Sequence, residues 1–381
     1  MALSVAVIGA GPAGATAARI LASQGAQVAL LEARHLPRGK TCGGALTPKA
    51  QRLVPPSVLD TVERRVHRVE IRGGRLPAFR LDEPAAEIAM VERSSFDYAL
   101  TEAAAAAGAE IRDGERVDAL TEDEQGVTIT TRRGRLRVDG VVAADGDPSA
   151  AARHLGLGGP VARHSLALTI DLPLATTLRD DTAILSFTVP GGFAWYFPKG
   201  DHANIGVGSR RALTQSGEAV AALRRALSRF ASGMDLDVTD GRITGHRVPQ
   251  GLRRGRLASR RVLLAGDAAA TVDPLFGEGI SYAIVSGVVA AQAIADMEAG
   301  TIPDLRAYDD RLRGLFGPPL RRLEFAAAAA ERSMTLALGA VRLSPWIRTY
   351  GVDVITGRRH PFAIGATMVR SHSPTGLVTT G

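Results

Sequence analysis

The chain has 381 residues, 45% hydrophobic and 22% charged, with 46 basic against 39 acidic side chains and a net charge of +7. That length passes the point where one core keeps growing, and it predicts two packed domains. A single cysteine, Cys42, excludes an internal disulfide and a cysteine-rich metal centre; the eight histidines show no HxxxH spacing, so no metal is expected. Lys40, Lys49 and Lys199 are the only lysines, so the positive charge is nearly all arginine. With aromatics at 4%, clusters such as Arg253-Arg254 and Arg260-Arg261 lack the interleaved rings of a single-strand binding surface, and no nucleic-acid partner is expected. A weak attraction to anionic membrane surfaces stays open.

The first segment, LSVAVIGAGPAGATAARILASQGAQVALLEAR, begins with a continuous apolar run from Val5 to Ile8, the pattern of a strand buried on both faces. It lacks a basic n-region and glycines break its apolar stretch, so it does not read as a signal peptide. Gly9, Gly11 and Gly14 form GxGxxG. The first permits the tight turn, the second lets a pyrophosphate approach the backbone, and the third lets helix and strand pack closely. A helix from about Pro12 to Ser23 aims its N-terminal amides at that phosphate. A second strand, Gln27 to Leu31, ends at Glu32, whose carboxylate is placed to accept hydrogen bonds from a ribose. The full motif predicts a dinucleotide site and leaves FAD and NAD unseparated.

RGKTCGGALTPKA, residues 38–50, sets Cys42 beside two glycines. It is either a small buried residue in a bend or a thiol set against a cofactor. Residues 65–90 and 163–250 alternate as antiparallel strands do, in HSLALTIDLP, TAILSFTVP, FAWYFP and ANIGVGS. Between them, VERSSFDYALTEAAAAAGAE predicts a helix opened by Arg93. RRGRLRVDGVVAADGDPSAAARHLG predicts a hairpin, an apolar strand ending at Asp145-Gly146, and a helix. RRVLLAGDAAATVDPLFGEGISYAIVSGVVAAQAIA predicts a buried strand, Val262 to Ala265, then Gly266-Asp267, a loop, and a long helix from about Gly279. Its apolar window, residues 280–295, is short for a bilayer span and reads as a core helix. After Gly300 the chain is helical and rich in arginine and alanine, and it loses periodicity near Gly357.

Strand, Gly-Asp, loop and glycine-headed helix together resemble the second flavin fingerprint of the group 2 FAD-dependent oxidoreductases, the p-hydroxybenzoate hydroxylase type. The resemblance implies that Asp267 bonds the ribityl chain. It also implies that the helix starting at Gly279-Ile280 points its positive end at the flavin N1–C2=O edge. Arg93 with Phe96-Asp97 resembles the family's R-x-x-F-D segment, whose arginine contacts the flavin side of the cofactor. Ala13, Ala33 and Val117 join the implied FAD contacts, and Cys42, Gly43 and Ala45 fall on the loop touching the isoalloxazine.

Within that group, FAWYFPKGDHANIGVG resembles the geranylgeranyl reductase signature, an aromatic-x-Trp-x-Phe-Pro stretch followed by Gly206-x-Gly208. KTCGGALTPKA and VDPLFGEGISYAIVSG resemble that family's Lys-Pro-Cys-Gly-Gly-Gly-Leu-Ser and Asp-Pro-Leu-Thr-Gly-Glu-Gly-Ile segments. The chain departs from the pattern at Phe193 for tyrosine, Ala45 for the last glycine, and Thr41 for proline.

The implied fold is α/β, a Rossmann-like FAD-binding domain (1–64, 91–162 and 251–300) with an antiparallel-sheet substrate domain (65–90 and 163–250) and a helical C-terminal region (301–381). The implied enzyme is an FAD-dependent reductase saturating isoprenoid C=C bonds of a lipid, quinone or chlorophyll precursor, by hydride transfer from reduced flavin. With no second GxGxxG, electrons are expected from NADPH bound transiently or from a separate carrier protein. Phe193, Trp195 and Phe197 share one strand face and are expected either to line the substrate channel or to form sheet core. Cys42 is the candidate catalytic residue. The alternative is an aromatic monooxygenase or halogenase on the same fold. A halogenase would carry Trp-x-Trp-x-Ile-Pro, which Phe193-x-Trp195-x-Phe197-Pro198 resembles only in part. A cytoplasmic location is expected, with peripheral membrane contact left open.

Overall fold

The computed structural model describes residues 2–358 apart from 177, 179, 180, 211–216 and 240. The end of the C-terminal region, 359–381, lies outside the described residues. Five short strands form an all-parallel sheet in the order Val262–Leu264, Gly140–Ala143, Ser4–Ile8, Gln27–Leu31 and Glu110–Arg112. Val5, Val7, Leu30, Val142 and Leu263 are fully buried in it, as expected of strands covered on both faces.

Helices Pro12–Ser23 and Ile280–Glu298 pack side by side on this sheet. Their backbones nearly touch, because a Cβ on Gly287 would lie 2.3 Å from the Ala13 carbonyl oxygen. Ile280–Glu298 is the one described helix long and apolar enough to cross a membrane, and most of it is buried in the core. Helix Arg93–Ala106 packs against Pro12–Ser23 from another side. An antiparallel meander, Val117–Glu122, Val127–Thr131 and Gly134–Val138, hangs beside the parallel sheet.

The second sheet has seven strands in the order Thr244–Gln250, Arg163–Pro173, His202–Ser209, Gly192–Pro198, Thr182–Phe187, Arg68–Gly73 and Leu76–Asp82. It is antiparallel except where Thr182–Phe187 meets Arg68–Gly73 in parallel. Val62–Val66 and Ile88–Val91 pair apart from it, with Ala45–Leu46, as a three-stranded sheet. A helix, Gly217–Ser232, interrupts the stretch read as strands. In GEAVAALRRALSRFAS the apolar spacing is helical, and Leu223, Leu227 and Ala231 bury one stripe against the sheet. Tyr196, Ile205 and Val207 sit on that covered face. The opposite face carries Phe193 and Trp195 toward the cofactor domain.

Three helices complete the described chain: Ala307–Arg332, Met334–Leu343 and Pro345–Thr356. The Tyr308 hydroxyl donates to the Leu264 carbonyl (2.8 Å) and ties the first of them to the parallel sheet. Ser333 and Ser344 cap the other two, each accepting from the backbone three residues on.

Candidate functional site

The turn after strand Ser4–Ile8 uses its glycines for different reasons. Gly9 has φ +98°, and a Cβ there would lie 2.4 Å from the Ala144 carbonyl oxygen. A Cβ on Gly14 would lie 1.9 Å from the Gly9 oxygen, so the helix sits directly on the turn. Gly11 faces open space; the nearest group to an added Cβ is the Arg38 guanidinium at 3.8 Å. Free N–H groups at the helix start and a facing guanidinium suit a pyrophosphate, so these residues fit the dinucleotide that the sequence implies.

Behind the turn runs a buried file of alternating acids and arginines. Glu32 accepts from Ala10 N (3.0 Å), Arg34 N (3.1 Å) and Arg38 Nε (3.0 Å). Arg38 Nη1 also donates to Asp97 Oδ2 (2.8 Å), and Arg93 grips the same carboxylate through Nε and Nη2 (2.9 and 2.8 Å). Asp97 is fully buried and Arg93 is 5% exposed. Burial alone would raise the Asp97 pKa, but the two arginines hold it below the usual carboxylate range. Burial likewise opposes the charge on Arg93; Asp97 and the Cys42 sulfur beside it reverse that and raise its pKa. Arg38 escaped the sequence reading because it belongs to no motif. Asp97 was quoted only as part of the R-x-x-F-D segment.

The glycines beside Cys42 answer to the sheet domain. A Cβ on Gly43 would lie 2.7 Å from the Phe197 ring and 3.1 Å from Trp195 Nε1. Gly44 has φ +74°, and a Cβ there would strike the Val91 oxygen at 2.1 Å. Ala45 has no positive φ and opens the short strand opposite Met90, so alanine is tolerated where the family has glycine. Trp195 lies flat over Gly206, whose added Cβ would be 2.1 Å from its ring. Its Nε1 donates to Asn204 Oδ1 (2.9 Å), and Asn204 in turn donates to Asp171 (2.7 Å). Phe187, Phe193, Trp195 and Phe197 form a row with successive centroids 5.8, 5.8 and 6.2 Å apart. Phe193 and Trp195 face the cavity described below, whereas Phe197 packs toward Val66, Met90 and Ala183.

Across from Cys42, Asp267 accepts from Lys40 Nζ (2.8 Å). Burial raises the Asp267 pKa, but Lys40, His246 and Arg93 outweigh it and hold the carboxyl low. Gly279 and Ile280 begin the long helix at the same wall. His246 also faces this space. Burial and then Lys40 lower its pKa, and its buried Nε2 has no hydrogen-bond partner among the described residues. Lys40 stood in the sequence only as the first residue of the KTCGGALTPKA segment, and His246 carried no signal. Ala13 is buried at the helix crossing, Val117 is buried at the start of the meander, and Ala33 is exposed beyond Glu32.

A cavity of about 1250 Å³ is lined by Cys42, Gly43 and Asp267, by the aromatic face of the sheet, and by the C-terminal helices. Its lining is dominated by side chains such as Leu185, Phe193, Leu323, Leu338 and Val354. That suits an apolar ligand.

Glu32→Ala and Asp267→Ala are each expected to weaken FAD binding by about tenfold or more while leaving the circular dichroism intact, since each removes a charged acceptor. The flavin-to-protein absorbance ratio after purification reads this, and full FAD in both variants contradicts the assignment. A second expectation concerns Asp273, in the loop before Gly279, where burial pushes the carboxyl up to about 6 despite Lys49. A raised folded-state pKa means that stability falls as pH rises through about 4 to 6. Asp273→Asn keeps the oxygen that accepts from Leu275 N and Phe276 N. It should therefore be more stable than the parent at pH 7, by about 1–3 kcal/mol, with the gain vanishing below about pH 4. Parallel urea melts across that range check it.

Residues 2–311 match the family model described as the FAD binding domain. The chain is 31% identical to geranylgeranyl diphosphate reductase of Oryza sativa subsp. japonica, over 87% of this chain and 76% of that protein. It is 32% identical to menaquinone reductase of Mycolicibacterium smegmatis, over 89% and 90%. The fold is similar to that of a geranylgeranyl bacteriochlorophyll reductase-like protein from Thermoplasma acidophilum (TM-score 0.75, 23% identity, 98% and 96% covered). It is also similar to that of a flavin-dependent brominase (TM-score 0.76, 19% identity, 98% and 99% covered). At such identities the structural likeness speaks to the fold alone, whereas the family match and the relatives above 30% identity go further: the chain belongs to the FAD-binding oxidoreductases, in the geranylgeranyl reductase family.

Proposed function

We propose that this flavin-dependent oxidoreductase saturates C=C bonds in the isoprenoid chain of a lipid or quinone. The observation that carries the reading is the largely apolar cavity that Phe193 and Trp195 line together with Cys42 and Asp267. The names of the relatives support it: a geranylgeranyl diphosphate reductase, a menaquinone reductase, and a digeranylgeranylglycerophospholipid reductase of Methanothrix thermoacetophila at 30% identity. The brominase is a relative in fold and brings no chemistry with it.

FAD, when bound and reduced, supplies the hydride for one alkene carbon. The chain's own residues do the rest. The Gly11 turn and Arg38 hold the pyrophosphate, Glu32 the adenosine ribose, and Asp267 the ribityl chain. The remaining assigned contacts are Gly9, Ala13, Gly14, Ala33, Gly43, Ala45, Arg93, Val117, Gly279 and Ile280. Phe193 and Trp195 keep the alkene dry and stacked, with Phe197 buttressing Gly43 behind them. Cys42 gives its proton to the second alkene carbon, and the Arg93 guanidinium faces the thiolate left behind. Electrons come from NADPH bound transiently or from a separate carrier, and the substrate's lipid character calls for contact with a membrane.

The test is anaerobic. Chemically reduced protein mixed with geranylgeranyl diphosphate should reoxidise, with the product gaining two hydrogens; no reoxidation with isoprenoids of any length overturns the reading. Cys42→Ser should slow this half-reaction more than it slows flavin reduction, and equal rates to the parent would remove Cys42 from the chemistry. Trp195→Ala should raise KM by about tenfold or relax chain-length preference, with FAD retained.

A further inference from the structure

Helix Met334–Leu343, MTLALGAVRL, is apolar on both sides although only one side is covered. Its inner face lines the cavity through Met334, Leu338 and Val341. Its outer face carries Leu336 and Leu343, two turns apart on one stripe and 74% and 81% exposed. Trp346, 70% exposed and stacked on Tyr350 at 5.8 Å, extends this patch onto the next helix. A helix apolar all round is ordinarily buried or in lipid, and clustered large apolar side chains are what a water-facing surface avoids. The flanking acids Glu331 and Asp353 are each paired with an arginine, Arg210 and Arg358. From residue 332 to 352 the sequence holds Arg332, Arg342 and Arg348 and no acid, and all three arginines are exposed.

We propose that the outer face of these C-terminal helices docks on an anionic bilayer, with Leu336, Leu343 and Trp346 seated among the headgroups. Exposed leucines supply apolar burial, the arginines pair with anionic lipid, and a Trp–Tyr pair suits the interfacial layer. A second copy of the chain fits poorly, because a two-fold contact would set the same arginines against one another. The same helix walls the cavity, so an isoprenoid chain would pass from leaflet to cavity across a single layer of side chains. That consequence rests on the isoprenoid reading; the docking surface itself rests on exposure and charge.

Flotation of the FAD-loaded protein with phosphatidylcholine vesicles, with and without phosphatidylglycerol, tests it. The parent should float with anionic vesicles, and less as salt rises. Leu336→Gln/Leu343→Gln/Trp346→Gln should lose binding by about tenfold or more, with FAD content, melting temperature and turnover of dispersed geranylgeranyl diphosphate unchanged. If that variant misfolds, Arg332→Glu/Arg342→Glu serves in its place and should lose the preference for anionic vesicles. A parent that ignores vesicles, a folded variant that binds as the parent does, or a parent dimer that the triple variant splits without any vesicle binding each overturn the proposal. Vesicle binding with no isoprenoid reoxidation would sink the reductase reading and leave the docking surface standing.

Discussion

The Asp97 carboxylate is the constraint on which both ends of the cofactor site depend. It is fully buried, and it is held by two arginines that are themselves buried, Arg38 and Arg93. Charges taken out of water cost several kcal/mol each unless they are paired with good geometry. Here the pairing runs on through Arg38 to Glu32, while Arg93 lies beside the Cys42 sulfur. The end of the second parallel strand, the loop 38–43 and the start of the Arg93 helix therefore cannot move independently. On the proposed assignment Glu32 serves the ribose and Cys42 the reaction, so one buried carboxylate would relate the two.

A second constraint joins the two sheets. Trp195 needs a neighbouring strand without side chains, and Gly206 provides it; Phe197 needs a loop without a Cβ, and Gly43 provides that. The cysteine loop of one domain is thus pressed against the aromatic strand of the other. The cavity's dry wall and its reactive floor meet there, and neither domain builds that junction alone. The C-terminal helices then close the cavity from above, with an inner face suited to an apolar chain.

Much of this was legible in the sequence where the requirement is local. GxGxxG, the buried strand before it and the acid after it follow from backbone sterics and strand burial, and they stand where expected. The pairing of aromatic-x-Trp-x-Phe with Gly-x-Gly was visible as a pattern, and the register Trp195 opposite Gly206 supplies its reason. Less was legible where the requirement is set by tertiary contacts. Arg38 and His246 reach the site from loop and strand positions that carry no pattern, and the motif around Lys40 gave no hint of its pairing with Asp267. The helix Gly217–Ser232 carries a helical stripe of its own, Leu223, Leu227 and Ala231, masked by the alternating segments on either side. The pairing of 62–66 and 88–91 with the short strand 45–46, apart from the large sheet, depends on where the cysteine loop ends.

The most direct test of the account is a titration of FAD into apoprotein carrying Asp97→Asn, followed by calorimetry beside the parent. Removing the carboxylate charge leaves Arg38 with Glu32 alone and buried Arg93 without its carboxylate, a break that typically costs about 3–5 kcal/mol. The account predicts a folded protein whose FAD dissociation constant rises by about tenfold or more. Parental affinity in that variant would contradict it, and would mean that the ribose and flavin ends of the site are held in place separately.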